Sequence, residues 1–185
     1  MVNVPDRTAE LIEAARSLFM EKGFAKASMR EIAARSGLTP MQSYRLGLAK
    51  EDLLAEVSIE LTAMQLRTIA AKALRRPAEP LQAFVERYLL KLYKSDIRNI
   101  GIRRESAAYG WMWSAQYEER IVEQVLALLQ PIAAAMSVQG LDNIAARCFT
   151  LWSLYYVGYR RAVVQGASAS ECLDAIRDSL TLALR

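Results

Sequence analysis

Two helix-opening signals flank a single glycine between Ser28 and Leu53, and that arrangement leaves few folds open to the chain. Ser28 with Glu31 forms a capping box, in which each side chain satisfies an orphan backbone amide of a first helical turn. Met29, Ile32 and Ala33 give that helix an apolar stripe. Gly37 stands where the chain must turn sharply, and glycine accepts a positive φ there without steric penalty. Thr39 caps a second short helix, and Pro40 takes its first position, where a missing amide hydrogen costs nothing. Two short helices joined by such a turn can set the second one in a DNA major groove. The same spacing also fits a generic helical hairpin, so the flanking sequence decides between the two.

On the N-terminal side, Leu11, Ile12, Ala15, Leu18 and Phe19 recur with helical period, which predicts an amphipathic first helix starting at Asp6 or Thr8. A fourth helix is expected from Lys50–Asp52 to about Arg75, with Leu53, Leu54, Val57, Leu61 and Met64 on its buried face. The run Arg75-Arg76-Pro77 should end it. Beyond Pro80, Leu81, Phe84, Val85, Tyr88, Leu89 and Leu92 mark another stripe, and residues 96–113 read as a less regular helix. Ser114 can cap the next, carrying Ile121, Val125, Leu128 and Leu129, which Pro131 should kink or split. Asp142 can cap a long helix reaching Val164. Ser168 with Glu171 is a further capping box, opening a last helix with Leu173, Ile176, Leu180 and Leu184 on one face. No strand alternation, repeat or low-complexity tract interrupts this pattern. The fold class is therefore all-α: an N-terminal three-helix helix-turn-helix domain over residues 1–50 and a C-terminal helical domain over residues 51–185.

Ala15, Leu18, Phe19, Gly23 and Phe24, then Ser28, Ile32 and Ala33, then Gly37, Leu38 and Thr39, Tyr44, and finally Lys50, Glu51 and Leu53 follow one another in a familiar register. This series resembles the N-terminal DNA-binding domain of TetR-family repressors, with no insertion or deletion between Ala15 and Leu53. The resemblance covers about the first third of the chain and implies about nine helices in all. The chain departs from the family pattern at Met41, where a small residue is usual, and at Ser43, where an aliphatic one is. It departs again at Leu46 and Gly47, where an aromatic or His precedes a Phe. Gly47 cannot supply that packing, so Leu46 or Leu48 must fill the space, while Gly47 can end the helix as a C-cap.

The resemblance implies a recognition helix over roughly Pro40–Leu46 and a DNA-facing set of Ser28, Thr39, Pro40, Met41, Gln42, Tyr44, Arg45 and Lys50. The Gln42 amide matches adenine N6/N7, Arg45 matches guanine or a phosphate, and Met41 matches a thymine methyl. Ser28, Thr39, Tyr44 and Lys50 suit phosphates. From the residues alone, Ser28 and Thr39 cap helices with or without DNA, Tyr44 fits a half-buried position, and Lys50 and Arg45 fit solvated surface.

The C-terminal half is rich in aromatic residues, and ligand sites are mostly apolar and aromatic with a few polar anchors. Tyr88, Arg103, Trp111, Trp152 and Tyr155 are the candidates for an effector site. The same rings also suit a core, and Trp111 and Trp113, two apart, point to different faces. The segment 142–164 is apolar on several sides, which calls for burial on more than one. Because the family forms dimers through its last two helices, the resemblance assigns Tyr156, Tyr159, Ile176 and Leu180 to a homodimer interface. The expected function is a ligand-responsive transcriptional regulator, a repressor, bound to a palindromic double-stranded DNA operator as a homodimer and released by a small lipophilic or planar effector that shifts the fourth helix. The alternative is a dimeric helical module of the same fold that binds ligands or proteins and has lost specific DNA binding.

Composition narrows the classes further. The chain has no His, which removes the commonest general base and metal ligand, and no phosphate-cradling glycine loop or nucleophile motif, so it does not read as an enzyme. No metal or cofactor is expected. A net charge of +4 supports a nucleic-acid partner only weakly. Cys148 and Cys172 sit in apolar periodic segments and read as buried thiols, with a redox sensor as the alternative. The polar start MVNVPDRTAE lacks a secretory core, and no uninterrupted apolar run is long enough to span a bilayer, so no membrane partner and a cytoplasmic location are expected.

Overall fold

The computed structural model describes residues 7–185; the alternative helix start at Asp6 lies outside them. Among these residues the regular structure is entirely helical. Helix α1 (Thr8–Lys22) buries Leu11, Ile12, Ala15, Leu18 and Phe19. Helix α2 (Met29–Arg35) opens on the Ser28 box: the Glu31 amide donates to Ser28 Oγ at 3.3 Å, and the Ser28 amide donates to the Glu31 carboxylate at 3.0 Å. Gly37 takes φ +69° in the turn that follows. Helix α3 (Pro40–Arg45) opens on a second box, closed by Gln42 against Thr39. Helix α4 (Lys50–Gln65) begins with the Ala49 amide donating to Asp52 at 2.8 Å.

Later elements depart from the sequence expectation in instructive ways. α4 does not continue to Arg75. After Gln65 it widens into a π-turn over Leu66–Ala70, where the Ala71 amide bonds to the Leu66 carbonyl at 2.9 Å. Arg75 lies beyond the helix and donates to the Glu79 carbonyl. Helix α5 (Leu81–Arg98) takes in Asp96, and the chain breaks at Asn99 before α6 (Ile100–Tyr109) and a 3-10 turn (Gly110–Met112). Helix α7 (Ala115–Val138) is not split at Pro131 but runs through it. Helix α8 (Ile144–Gln165) is preceded by Asn143 in the left-handed region and has no side-chain cap. Asp142 is not its cap, because its carboxylate is held instead by Arg147 at 3.1 Å. The Ser168 box forms as expected, but the last helix divides into α9 (Ala169–Asp174) and α10 (Arg177–Ala183). That division gives ten α-helices among the described residues rather than about nine.

The chain forms two compact units. The first comprises residues up to Thr62 together with Gly101–Ile121. Its core joins Leu11, Leu18, Phe19, Phe24 and Ile32 to Leu53, Leu54, Val57 and Leu61 of α4 and to Ile102 of α6. Arg103 secures α6 with hydrogen bonds to the Ser58 carbonyl (3.3 Å) and the Thr62 hydroxyl (3.0 Å). Arg120 grips Glu56 through both guanidinium nitrogens at 2.6 and 2.9 Å, a bidentate geometry stronger than a single contact.

The second unit comprises Ala63–Ile100 and Val122–Arg185. Its core runs from Phe84, Tyr88, Leu89 and Tyr93 of α5 through Leu128, Ile132 and Met136 of α7 to Leu151 and Tyr155 of α8, closing on Cys172, Ile176 and Leu180. By length and composition α7 could cross a membrane, with a mean hydropathy of 1.6 over its most apolar stretch. Leu128, Leu129, Ile132, Ala135 and Met136 of this helix are buried in the core, while Val122, Leu126 and Val138 are exposed.

Candidate nucleic-acid interface

Helix α3 has one buried residue, Ser43, at 3% exposure. With about 100° between successive residues, Met41 and Arg45 both point within about 20° of the direction opposite Ser43, while Gln42 and Tyr44 flank them. Exposure agrees: Met41 is 63% exposed and Tyr44 82%, so Tyr44 is not half-buried core. Leu46 and Leu48 are both partly buried against the core of the first unit, supplying the packing that Gly47 cannot. Gly47 takes φ +70° and donates its amide to the Tyr44 carbonyl at 3.0 Å, which ends α3.

Besides the capping hydroxyls of Ser28 and Thr39, two of the expected contact residues are already engaged. Gln42 Oε1 accepts from the Thr39 amide at 2.9 Å to close the capping box. Bidentate pairing with adenine needs that same oxygen to accept from N6 while the amide NH₂ donates to N7. Gln42 therefore reads a base in this way only with its second lone pair or by opening the box. Lys50 Nζ donates to the Phe24 and Ala27 carbonyls at 3.1 and 3.2 Å and lies 4.3 Å from the Phe24 ring centroid. It ties the start of α4 to the turn between α1 and α2. Among the named set, Met41, Tyr44 and Arg45 are left with exposed side chains on the outer side of α3.

Ser28 and Thr39 keep their hydroxyls at helix starts. Glu31 brings a negative charge close to Ser28, but Lys22 pairs with it. The Lys22 contact, reinforced by the Ser28 hydroxyl and amide, holds the Glu31 carboxyl at about 2, well below the usual carboxylate range. Lys26 and Arg30, exposed on either side of this helix start, join no ion pair among the described residues. Sequence reasoning missed them. Their signal was two cations bracketing a capping box, a placement suited to phosphates.

The five effector candidates do not share one unit. Arg103 and Trp111 belong to the first, where Arg103 is bonded to Ser58 and Thr62, and Trp111 is 95% exposed in the 3-10 turn. Tyr88, Trp152 and Tyr155 belong to the second. Tyr88 is wholly buried and donates to the Leu128 carbonyl at 2.7 Å. Tyr155 stacks on Tyr93 at 4.4 Å and on Trp152 at 5.4 Å, and its hydroxyl donates to Asp96 at 2.7 Å. Gln65 donates to the other Asp96 oxygen at 2.5 Å. A surface cleft of about 380 Å³ lies elsewhere in the unit, lined by Leu90, Lys94, Ile97, Ser168, Ala169 and Ser170.

The four expected interface residues also separate. Tyr159, Ile176 and Leu180 are packed into the core of the protomer, so they cannot form the surface of a subunit contact in this structure. Tyr156 is exposed. It shares the outer face of α8 with Phe149, Val157 and Val164, which the sequence reading did not single out for this role.

These features define a helix-turn-helix unit joined to an all-helical unit, and comparison with known proteins gives the class. Residues 11–57 match the family described as bacterial regulatory proteins, tetR family. Solved structures share the fold over nearly the full length. A TetR-family transcriptional regulator from Mesorhizobium loti is 19% identical, with 100% of this chain and 98% of that one covered and a TM-score of 0.68. A TetR/AcrR-family regulator from Thermobifida fusca is 25% identical, with 97% of each chain covered and a TM-score of 0.63. A transcriptional regulator from a Rhodococcus species is 20% identical, with 97% and 99% covered and a TM-score of 0.71. No curated protein matches the chain. Residues 11–57 thus carry a match to that family's N-terminal helix-turn-helix domain, and the chain shares along its length the fold of these solved TetR-family structures.

Proposed function

We propose that this protein is a ligand-responsive transcriptional repressor of the cytoplasm, binding a palindromic operator as a homodimer and released by a small lipophilic or planar effector. The observation that carries the reading is the outer side of α3, where Met41, Tyr44 and Arg45 project on a helix held from behind by a closed core. Arg45 recognises guanine or a phosphate, Met41 meets a thymine methyl, and Tyr44 with Lys26 and Arg30 meets phosphates. Ser28, Thr39, Pro40 and Lys50 hold the frame, and Gln42 joins the readout when its box opens. The apolar outer face of α8, with Phe149, Tyr156, Val157 and Val164, supports self-association, since a helix face of this kind gains by burial. Two copies would set their reading helices about one DNA turn, roughly 34 Å, apart.

The effector belongs, in this reading, to the second unit beside Trp152, a partly exposed ring suited to a planar or lipophilic molecule. Such a molecule lowers operator affinity only by binding the DNA-incompetent state more tightly. The test is selection of genomic DNA fragments at about physiological salt, with sedimentation of the protein and its complex. A recovered palindrome bound by two copies supports the reading. A folded chain that enriches no site, with or without candidate effectors, overturns it in favour of a helical module without DNA-reading activity.

A further inference from the structure

The outward side of the reading helix carries a thioether, while both thiols of the chain are shut away. Cys148 and Cys172 are buried, and burial pushes both thiols up, so neither presents a thiolate to an oxidant. The exposed methionines among the described residues are Met20, Met41, Met64 and Met112. Of these only Met41 lies on α3, one turn before Arg45 on the same outward line.

We propose that Met41 is an oxidation site through which a peroxide weakens DNA binding; the inference rests on the DNA-reading role of α3. The sulfur lone pair attacks one peroxide oxygen, the O–O bond breaks, an S–O bond forms and water leaves. Sulfur loses two electrons and the peroxide is reduced to water. The product replaces an apolar tip with a polar, strongly accepting S–O group. Against a thymine methyl that oxygen loses its hydration with no donor in return, and against a phosphate it adds a second acceptor. Arg45, as the neighbour one turn on, can donate to the sulfoxide and so withdraw its guanidinium from DNA. One oxidised atom thus affects both residues at the apex of the helix. The change is reversible, because methionine sulfoxide reductases restore the thioether.

The experiment treats the full chain with hydrogen peroxide, maps sulfoxide by peptide mass spectrometry, and measures binding to a selected site before and after. Affinity should fall about tenfold as Met41 is oxidised and return on incubation with the reductases. Met41→Leu, whatever its own starting affinity, should show no change on treatment, and Met112→Leu should keep the full response. Unchanged affinity at complete Met41 oxidation, or an equal loss in Met41→Leu, overturns the inference alone. An untreated chain that binds no specific site overturns the DNA-reading role as well, and this inference with it.

Discussion

Replacing Gly158 by Ala should destabilise the second unit, although the same change in an open helix would stabilise it. α8 crosses close to its neighbours at Gly158. A Cβ built there would lie 2.2 Å from Tyr93 Oη, 3.1 Å from Tyr93 Cζ and 2.7 Å from the Cys172 carbonyl oxygen. The Tyr93 side chain is wholly buried and donates to the Tyr155 carbonyl at 3.0 Å, so moving it to relieve the clash also strains or breaks that bond. The Cys172 oxygen is backbone and yields only if α9 shifts. Overpacking of this kind costs about 2 kcal/mol. Loss of the Tyr93 bond adds about 1 kcal/mol. Ala regains about 1 kcal/mol in helix propensity.

The net destabilisation is about 2 kcal/mol, which lowers Tm by roughly 4–8 °C for a chain of this size. Thermal and urea unfolding followed by far-UV circular dichroism would measure it, with near-UV circular dichroism as a second probe of aromatic packing. Tyr93→Phe in the Gly158→Ala background removes the nearest clashing atom and should recover part of the loss, leaving the Cys172 contact in place. A Gly158→Ala protein as stable as the parent, or more stable by the helix-propensity gain, would refute the argument that this approach excludes a Cβ.

Three further outcomes follow from the first unit. Because Lys22 and Ser28 hold Glu31 at about 2 when folded, against an ordinary 4.5, the carboxylate supports the start of α2 above pH 4.5. That support is lost as pH falls from about 4.5 towards 2, so the protection of the amides at residues 28–31 relative to their intrinsic exchange rate should fall across that window, and Glu31→Gln should abolish that fall. Removing the Arg120 pair by Glu56→Ala should cost about 1 kcal/mol, reduced from a buried value because the Arg120 side chain is partly solvated, as measured by urea unfolding. On DNA, Arg30→Ala should weaken binding to all sequences alike and reduce the salt slope by about one, whereas Arg45→Ala should relax the preference at one base position. Equal effects of the two on every sequence would remove Arg45 from base reading.

The parts of this fold legible in the sequence are those whose partners are local. The boxes at Ser28 and Ser168 each need two side chains on one helical turn, and both formed as read. The box at Thr39 is half legible: the sequence shows Thr39 as a cap, while Gln42, which suits DNA, also stands where a box requires a partner. Lys50 shows the opposite limit. Its carbonyl partners on Phe24 and Ala27 are far along the chain, and a lysine bound to them looks in sequence like any lysine at a helix start. Ile176 and Leu180 show another: an aliphatic stripe on a last helix reads the same whether it faces its own core or a second subunit. The break between α9 and α10 comes at Ala175 and Ile176, with neither Gly nor Pro to announce it.

Residues 101–121 bear most directly on how the protein is to be dissected. A boundary after residue 50 follows the helix-turn-helix pattern, yet Leu53, Leu54, Val57 and Leu61 are buried in the core that supports α3. Ile102 lies in that same core, Tyr109 meets Phe24 edge-on at 5.1 Å, and Tyr117 and Trp113 pack with Ala55 and Ile59. Burial, with Asp52 and Glu56 nearby, pushes the Tyr117 phenol up to about 12, as expected of a ring seated against protein rather than solvent. A fragment ending at residue 50 would expose the apolar underside of the reading domain, and one ending at Thr62 would still lack Ile102 and the Arg103 and Arg120 contacts. The reading helix thus depends for its support on side chains from well beyond the sequence motif that reveals it.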